Sequence, residues 1–115
     1  EEVAKWLARK CCELRIFSDE QDKMNLSLMD VDGEAMIVSN FTLYADCKKG
    51  RRPAYVRAAR PEQADGLYLS FVKEVRDLGI KNVQTGEFGA DMQVSITNDG
   101  PVTIFLDTDE IMPQK

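Results

Sequence analysis

The stretch from Lys23 to Ala45, KMNLSLMDVDGEAMIVSNFTLYA, determines our prediction of the fold. It reads as two β-strands joined by a turn at residues 30–33, DVDG, because Asp and Gly favour tight turns. The second strand, from Ala35 to Tyr44, begins with an apolar run, AMIV, which is typical of a strand buried on both faces. The stretch therefore predicts two antiparallel strands within a sheet.

Helical periodicity flanks this stretch on both sides. Residues 1–14 and residues 61–78 both place apolar side chains at helical spacing. The first apolar stripe consists of Val3, Trp6, Leu7, Cys11 and Leu14. The second consists of Leu67, Phe71, Val75 and Leu78. Pro61 suits the start of the second helix, and Gly79 ends it. Three more strands are predicted at residues 82–87, 92–97 and 102–107, followed by a frayed tail at residues 108–115. The pattern predicts a single α+β domain over residues 1–115, built on antiparallel sheet and without βαβ alternation.

The composition restricts the chemistry. The chain of 115 residues contains no histidine, which excludes Ser-His and Cys-His nucleophiles and every His-ligated metal site. We therefore expect no metal and no cofactor, with acid–base work left to other side chains, to the backbone or to the substrate. Cys11, Cys12 and Cys47 match no paired metal knuckle, and no apolar run approaches the length of a membrane span. These features predict a cytoplasmic protein with reduced thiols and no membrane association.

Charge is distributed unevenly along the chain. Residues 48–60, KKGRRPAYVRAAR, contain six basic residues and no acidic one, so this segment carries a charge of +6. The net charge of the chain is −5, so the remaining residues together carry −11 (−5 = +6 − 11). A segment of this kind, and Lys48, Lys49, Arg51 and Arg52 above all, is suited to contact a polyanion. The alternative is a solvated loop whose cations pair with acidic residues on other faces.

Two short motifs are suited to hold a substrate. Ser39, Asn40, Phe41 and Thr42 interrupt an apolar strand with polar groups that could orient a carbonyl, or that could simply satisfy a strand end. Phe88, Gly89, Ala90 and Met92 combine small residues with a soft apolar floor on which a nucleobase could stack; the alternative is the packing of a tight turn.

A third motif, TNDGPVT at residues 97–103, combines turn residues with a proline. Pro101 stands at the mouth of the predicted last strand, where it can donate no hydrogen bond. Taken alone, the motif favours a trans peptide bond before Pro101, because cis bonds are uncommon even before proline. Asn98 and Thr103 flank the turn and could hold it through side-chain hydrogen bonds.

Together these motifs resemble a known family. VSNFTLYADCKKGRRPAY, TGEFGADMQV and TNDGPVT, in this order and spacing, are similar to the D-aminoacyl-tRNA deacylases, and the resemblance covers residues 1–107. It implies a main sheet curled into a barrel-like core with two helices. Asn40 stands where that family usually has Gln. Family members also have N-terminal strands before the first helix, and we expect those strands to be absent from this chain.

The resemblance implies an enzyme that hydrolyses the ester between a D-amino acid and the tRNA 3′ end, in a homodimer. It assigns the scissile carbonyl to Ser39, Asn40, the Phe41 N–H and the Thr42 hydroxyl. It assigns the terminal adenosine to the FGADM motif. It also implies that Gly100 and Pro101 reach the partner's site to read the α-amino group, across a cis bond, and that the substrate's 2′-OH replaces a protein base.

Three alternatives stay open at this point. The chain could be a non-catalytic module that binds tRNA or another nucleic acid. It could hydrolyse glycyl-tRNA mischarged on alanine tRNA, because glycine offers no side chain for a chiral site to refuse. Asn40 could also mark a paralogue of altered specificity.

Overall fold

The computed structural model describes residues 1–113. In chain order its elements are α1 (Glu2–Glu13), β1 (Phe17–Ser18), β2 (Met24–Leu26), β3 (Ala35–Ile37), a 3₁₀ turn (Phe41–Tyr44), α2 (Pro61–Asp77), β4 (Val83–Thr85) and α3 (Thr108–Ile111). The fold is mixed α and β, as predicted, with three α-helices rather than two. Residues 114 and 115 of the predicted tail lie outside the described residues.

The core forms where α1 packs against α2. Its buried apolar residues are Ala8, Cys12, Val72, Val75, Ile80 and Val83. One polar contact crosses the same interface: the Arg9 Nε donates to the Glu74 Oε2 at 2.7 Å. The Glu74 side chain is only 10% exposed, so this ion pair compensates a charge that packing has removed from water.

Both long helices are confirmed, but α1 buries a different face from the predicted one. Pro61 is the first residue of α2, and Val75 lies in the core as expected. In α1 the buried residues are Ala8 and Cys12, whereas Val3 is 47% exposed. Small side chains at the contact let the two helix backbones approach closely, and this outweighs the larger apolar residues of the predicted stripe.

The prediction that residues 23–45 form an antiparallel pair of strands is wrong. β2 pairs with β1 in antiparallel orientation, while β3 pairs with β4 in parallel, with Ala35 opposite Val83 and Ile37 opposite Thr85. A parallel pair needs a long crossover, and α2 supplies it, so β3, α2 and β4 form the βαβ unit that the sequence analysis excluded. A continuous apolar run such as AMIV fits either partner equally well.

The turn at residues 30–33 is present, but it does not join paired strands. Ser27 and Asp30 bond reciprocally: the Ser27 N–H donates to the Asp30 carboxylate at 2.9 Å, and the Asp30 N–H donates to the Ser27 hydroxyl at 3.2 Å. The hydrogen bond from the Ser27 N–H lowers the pKa of the Asp30 carboxyl below its ordinary value, and the hydrogen bond with the Ser27 hydroxyl lowers it further. The compact turn therefore directs the chain away from β2 and towards β4.

The two last predicted strands are also absent from the structure. Residues 92–97 and 102–107 have extended or irregular backbone, and in residues 1–113 they pair with no strand. Ile96 is 79% and Phe105 67% exposed, because no neighbouring strand covers them in the described part of the chain. The described sheets are two separate strand pairs, not a closed barrel.

The chain ends in a short helix. Residues 108–111 of the predicted frayed tail form α3, whose first turn is capped by the Asp107 carboxylate accepting from the Asp109 N–H at 3.0 Å. Within residues 1–113, no helix has both the length and the apolar character needed to span a membrane.

Candidate functional site

Two predicted motifs meet at one edge of the parallel strand pair. The Ser39–Thr42 motif follows β3, and the Phe88–Met92 motif follows β4. Because the carboxyl ends of parallel strands lie at the same edge, both motifs are delivered to one place. Apart from Thr42, which does not line it, their residues form the wall of a cavity of about 880 Å³ together with residues of α2 and the loop before it; the wall includes Val38, Ser39, Asn40, Phe41, Tyr44, Tyr55, Tyr68, Phe88, Gly89, Ala90 and Met92.

Asn40 determines the hydrogen bonding of Thr42. The Asn40 Oδ1 accepts from the Thr42 N–H at 3.1 Å and from the Thr42 hydroxyl at 2.5 Å, and so caps the 3₁₀ turn. Since this oxygen can only accept, the hydroxyl proton belongs to the bond with Asn40. The Thr42 oxygen keeps its lone pairs for further partners, while the role of its hydroxyl at the scissile carbonyl stays a prediction. Phe41, the first residue of the turn, has no backbone acceptor for its N–H within residues 1–113.

Replacing Asn40 is expected to loosen this turn. Asn40→Ala removes the acceptor for both Thr42 donors and should lower the free energy of unfolding by about 1 kcal/mol, the usual cost of a lost cap. Asn40→Asp keeps an acceptor in the same place and should retain most of that stability. Urea unfolding of the three proteins provides the measurement. Equal stability of the Ala and Asp variants would contradict the capping role.

Tyr68 of α2 joins the two strand ends that lead into the cavity. Its hydroxyl lies 3.2 Å from the Ile37 carbonyl and 3.4 Å from the Gly86 carbonyl, so its one proton is shared between the ends of β3 and β4. Its ring lies 6.0 Å from that of Phe88, at an interplanar angle of 38°. Tyr68 thereby connects the helix to both motif loops.

We expect Tyr68→Phe to loosen this connection while keeping the ring contact with Phe88. The loss of one hydrogen bond should lower the free energy of unfolding by about 1 kcal/mol. Hydrogen exchange should accelerate at Gly86, whose N–H donates to the Ile37 carbonyl at 3.0 Å. Unchanged exchange there would show that the strand ends are held without the hydroxyl.

The FGADM motif forms a tight turn at the cavity wall. The Ala90 N–H donates to the Glu87 carbonyl at 3.2 Å, and Gly89 has a φ of 78°, in the left-handed region that favours glycine. Met92 is 37% exposed and lines the cavity with Phe88. The motif therefore forms a tight turn, and the same turn places the apolar side chains of Phe88 and Met92 in the cavity wall. The two interpretations of this motif, a packed turn and a binding surface, are thus compatible.

The Gly-Pro motif lies apart from the cavity of its own chain. The Gly100–Pro101 bond is cis, which confirms the expectation drawn from the resemblance. The described residues lining the cavity do not include Asn98, Gly100, Pro101 or Thr103. A Cβ added at Gly100 would overlap the Val102 nitrogen and lie 3.3 Å from the Asn98 Oδ1, so only glycine fits this backbone.

The predicted tRNA-contacting cations lie on a short hairpin. Asp46 and Ala54 exchange two backbone hydrogen bonds of 2.7 and 2.8 Å, and the Asp46 carboxylate accepts from the Lys48 N–H at 3.0 Å. We call residues 46–54 the basic hairpin; its exposed cations are Lys48, Lys49, Arg51 and Arg52. The salt bridges found within residues 1–113 involve none of these four cations. These four cations therefore have no carboxylate partner in the described part of the chain, and their contact with tRNA stays a prediction.

Comparison with known proteins then identifies the family. The family model described as D-Tyr-tRNA(Tyr) deacylase matches residues 1–107. The chain belongs to this deacylase family. It is 59% identical over 103 residues to the D-aminoacyl-tRNA deacylase of Clostridioides difficile (strain 630), covering 90% of this chain and 68% of the relative. It is 56% identical over 110 residues to that of Thermosipho africanus (strain TCF52B), covering 96% and 73%.

A solved structure has the same fold as this deacylase-family chain. The c-Myc DNA Unwinding Element Binding Protein superposes with a TM-score of 0.83 at 42% sequence identity, covering 90% of this chain and 70% of that one. The mixed α and β arrangement is therefore shared between the two proteins.

The sequence analysis of this family member missed the three tyrosines of the cavity wall. Tyr44, Tyr55 and Tyr68 all line the cavity, yet only the chain's tertiary structure brings them there. The signal available in the sequence was weak: Tyr44 and Tyr55 flank the residues of the basic hairpin. Of the three cysteines, Cys47 does not line the cavity. Burial raises the pKa of the Cys11 and Cys12 thiols, which keeps both protonated near neutral pH.

Proposed function

We propose that this protein hydrolyses the ester bond of D-aminoacyl-tRNA and releases the free D-amino acid and tRNA. The observation that carries the proposal is the meeting of residues 39–41 and residues 88–92 in one cavity. Its deacylase-family relatives, named for this activity at 56–59% identity, support the same reaction. Ser39 and Asn40 are assigned here to the carbonyl side of the cavity, and Phe88, Gly89, Ala90 and Met92 to the terminal adenosine.

The proposed mechanism relies on the backbone more than on side chains. The unpaired Phe41 N–H polarises the scissile carbonyl and stabilises the oxyanion that forms when the ester is attacked. The Thr42 oxygen, whose own proton is donated to Asn40, accepts a hydrogen bond from the substrate's 2′-OH. That hydroxyl lies beside the ester and takes the role of the base. Water attacks the carbonyl carbon, and the water's proton passes by way of the 2′-hydroxyl to the 3′-oxygen. The C–O bond between the acyl group and the 3′-oxygen breaks, which releases the amino acid and tRNA. Positioning can then supply the rate, since an aminoacyl ester is already reactive.

We further propose that the chain acts as a homodimer in which Gly100 and Pro101 enter the partner's cavity. Their absence from the cavity of their own chain supports this arrangement. Rigid backbone at Gly100 leaves no room for an L side chain, while Asn98 and Thr103 hold the turn. The two carbonyls of the motif accept from the substrate's α-ammonium group.

The direct test is deacylation of D-Tyr-tRNA, L-Tyr-tRNA and glycyl-tRNA mischarged on alanine tRNA. We expect rapid release of D-tyrosine and of glycine, and none of L-tyrosine above the spontaneous rate, because glycine has no side chain to exclude. Equal rates for the D and L esters would overturn the chiral assignment. No release from any of them would overturn the proposed hydrolysis.

Mixed dimers test the exchange of the Gly-Pro motif between subunits. Gly100→Ala distorts the motif, and Phe41→Pro removes the proposed carbonyl donor, so each homodimer should lose activity. A mixed dimer contains one site built from two intact halves only if the motif acts on its partner. An equimolar mixture should then recover about a quarter of wild-type activity. No recovery after subunit exchange would indicate that the motif serves its own chain.

A second candidate function is nucleic-acid binding without turnover. The unpaired cations of the basic hairpin favour it, as does the similarity to the c-Myc DNA Unwinding Element Binding Protein. On this alternative the chain binds tRNA with the same salt dependence but leaves D-Tyr-tRNA intact. The deacylation assay separates the two candidates.

A further inference from the structure

An aromatic and cationic surface continues from the cavity mouth to the basic hairpin. Tyr44 and Tyr55 both line the cavity, yet they remain 39% and 40% exposed. The Arg57 guanidinium lies 4.4 Å from the centre of the Tyr44 ring. The Tyr55 ring meets Phe41 edge-on, with centroids 5.0 Å apart and an interplanar angle of 72°. The exposed ring faces and the guanidinium plane are thus held in place by their neighbours.

The basic hairpin explains why these residues come together. Tyr44 lies two residues before Asp46, and Tyr55 follows Ala54, so the Asp46–Ala54 pairing brings both tyrosines to the base of the hairpin. Residues 48–60 contain no acidic residue, and the salt bridges among residues 1–113 leave Arg57 without a carboxylate partner. Stacking groups therefore lie between the cavity and a group of unpaired cations.

We propose that Tyr44, Tyr55 and Arg57 form a second nucleotide-binding surface, which takes the unpaired nucleotides preceding the terminal adenosine. The inference rests on the proposed function, since it requires that the cavity hold the terminal nucleotide. Bases stack on exposed aromatic rings and guanidinium planes, while lysines and arginines contact the phosphates between them. A folded double strand would not present its bases to such a surface, so the ligand is single-stranded RNA.

Binding of uncharged ligands tests this surface without requiring turnover. The probes are adenosine and the RNA tetranucleotide ACCA, measured by calorimetry on the full chain. We expect ACCA to bind more tightly than adenosine. Tyr55→Leu, which keeps an apolar side chain but removes the ring, should weaken ACCA binding about tenfold and adenosine binding less than about twofold. Tyr55→Phe keeps the ring and should bind both probes as the wild type does.

Salt dependence separates stacking from charge. Tyr55→Leu should lower ACCA affinity at every salt concentration without changing the salt slope, because it removes no cation. Arg15→Gln, at an exposed cation that does not line the cavity, serves as the control and should change neither affinity.

Several outcomes would overturn the inference. They are equal affinity for ACCA and adenosine, equal weakening of both by Tyr55→Leu, and displacement of ACCA by polyglutamate as effectively as by RNA. If the protein does not hydrolyse D-Tyr-tRNA but its binding of ACCA depends on Tyr55, the proposed hydrolysis is wrong and this surface is supported. If it hydrolyses D-Tyr-tRNA but binds ACCA and adenosine equally, the proposed hydrolysis is supported and this surface is wrong.

Discussion

Phe41→Pro is expected to lower kcat for D-Tyr-tRNA by about 10²–10³-fold, the usual effect of removing one oxyanion donor. Proline has no N–H, so the substitution deletes the proposed donor to the scissile carbonyl. The backbone tolerates it, because Phe41 is the first residue of the 3₁₀ turn and Asn40 before it is extended, with φ −155° and ψ 99°. Single-turnover deacylation measures the effect.

Phe41→Ala is the matched control, because it removes the same ring but keeps the N–H. The ring contacts Tyr55, and its loss should lower the rate by less than about tenfold. Circular dichroism and urea unfolding establish that both variants fold. If folded Pro and Ala variants hydrolyse the ester equally fast, the backbone donor is not the source of the rate.

Neutralising the basic hairpin is expected to have the second large effect. Changing Lys48, Lys49, Arg51 and Arg52 together to Gln removes four cations that have no carboxylate partner in the described structure. If all four contact phosphates, the slope of log affinity for tRNA against log salt should flatten by about 3, with roughly 10³-fold weaker binding near 0.1 M salt. Filter binding over a salt series measures both quantities.

A control of equal charge distinguishes local contacts from the overall field. Lys5, Lys10, Arg15 and Lys23 lie in the N-terminal quarter of the chain and do not line the cavity. Changing these four to Gln alters the net charge by the same amount and should shift the slope much less. Equal slopes in the two quadruple variants would return the hairpin to the role of a solvated loop.

Local patterns predicted the helices and the motif residues well. The apolar spacing of residues 61–78 and the proline at its start predicted α2, because a helix makes its hydrogen bonds within one segment. Ser39–Thr42 and Phe88–Met92 were noticed as unusual residue types beside apolar runs, and all of these residues except Thr42 line the cavity. Their individual roles remain proposals, as does the tRNA role of the hairpin.

Strand pairing was predicted poorly, and the reason is physical. The run AMIV specifies a buried strand, but not which strand pairs with it or in which direction. The sequence order favoured the neighbouring segment, β2, whereas the structure pairs Ala35–Ile37 with Val83–Thr85 across α2. Residues 92–107 show the opposite error: their alternation predicts strands, yet a strand requires a partner that the described part of the chain does not provide.

The sequence alone determined the local and compositional properties of this protein. These are the two long helices, the basic segment at residues 48–60, the absence of histidine and the motifs that identify the family. The tertiary structure alone decided that β3 and β4 are parallel neighbours, which places two motifs 46 residues apart (88 − 42 = 46) in one cavity. It also decided that the Asn40 Oδ1 accepts a hydrogen bond from the Thr42 hydroxyl, and that three tyrosines complete the wall. Helical hydrogen bonds join residues close in sequence, whereas these contacts depend on which distant segments the core brings together.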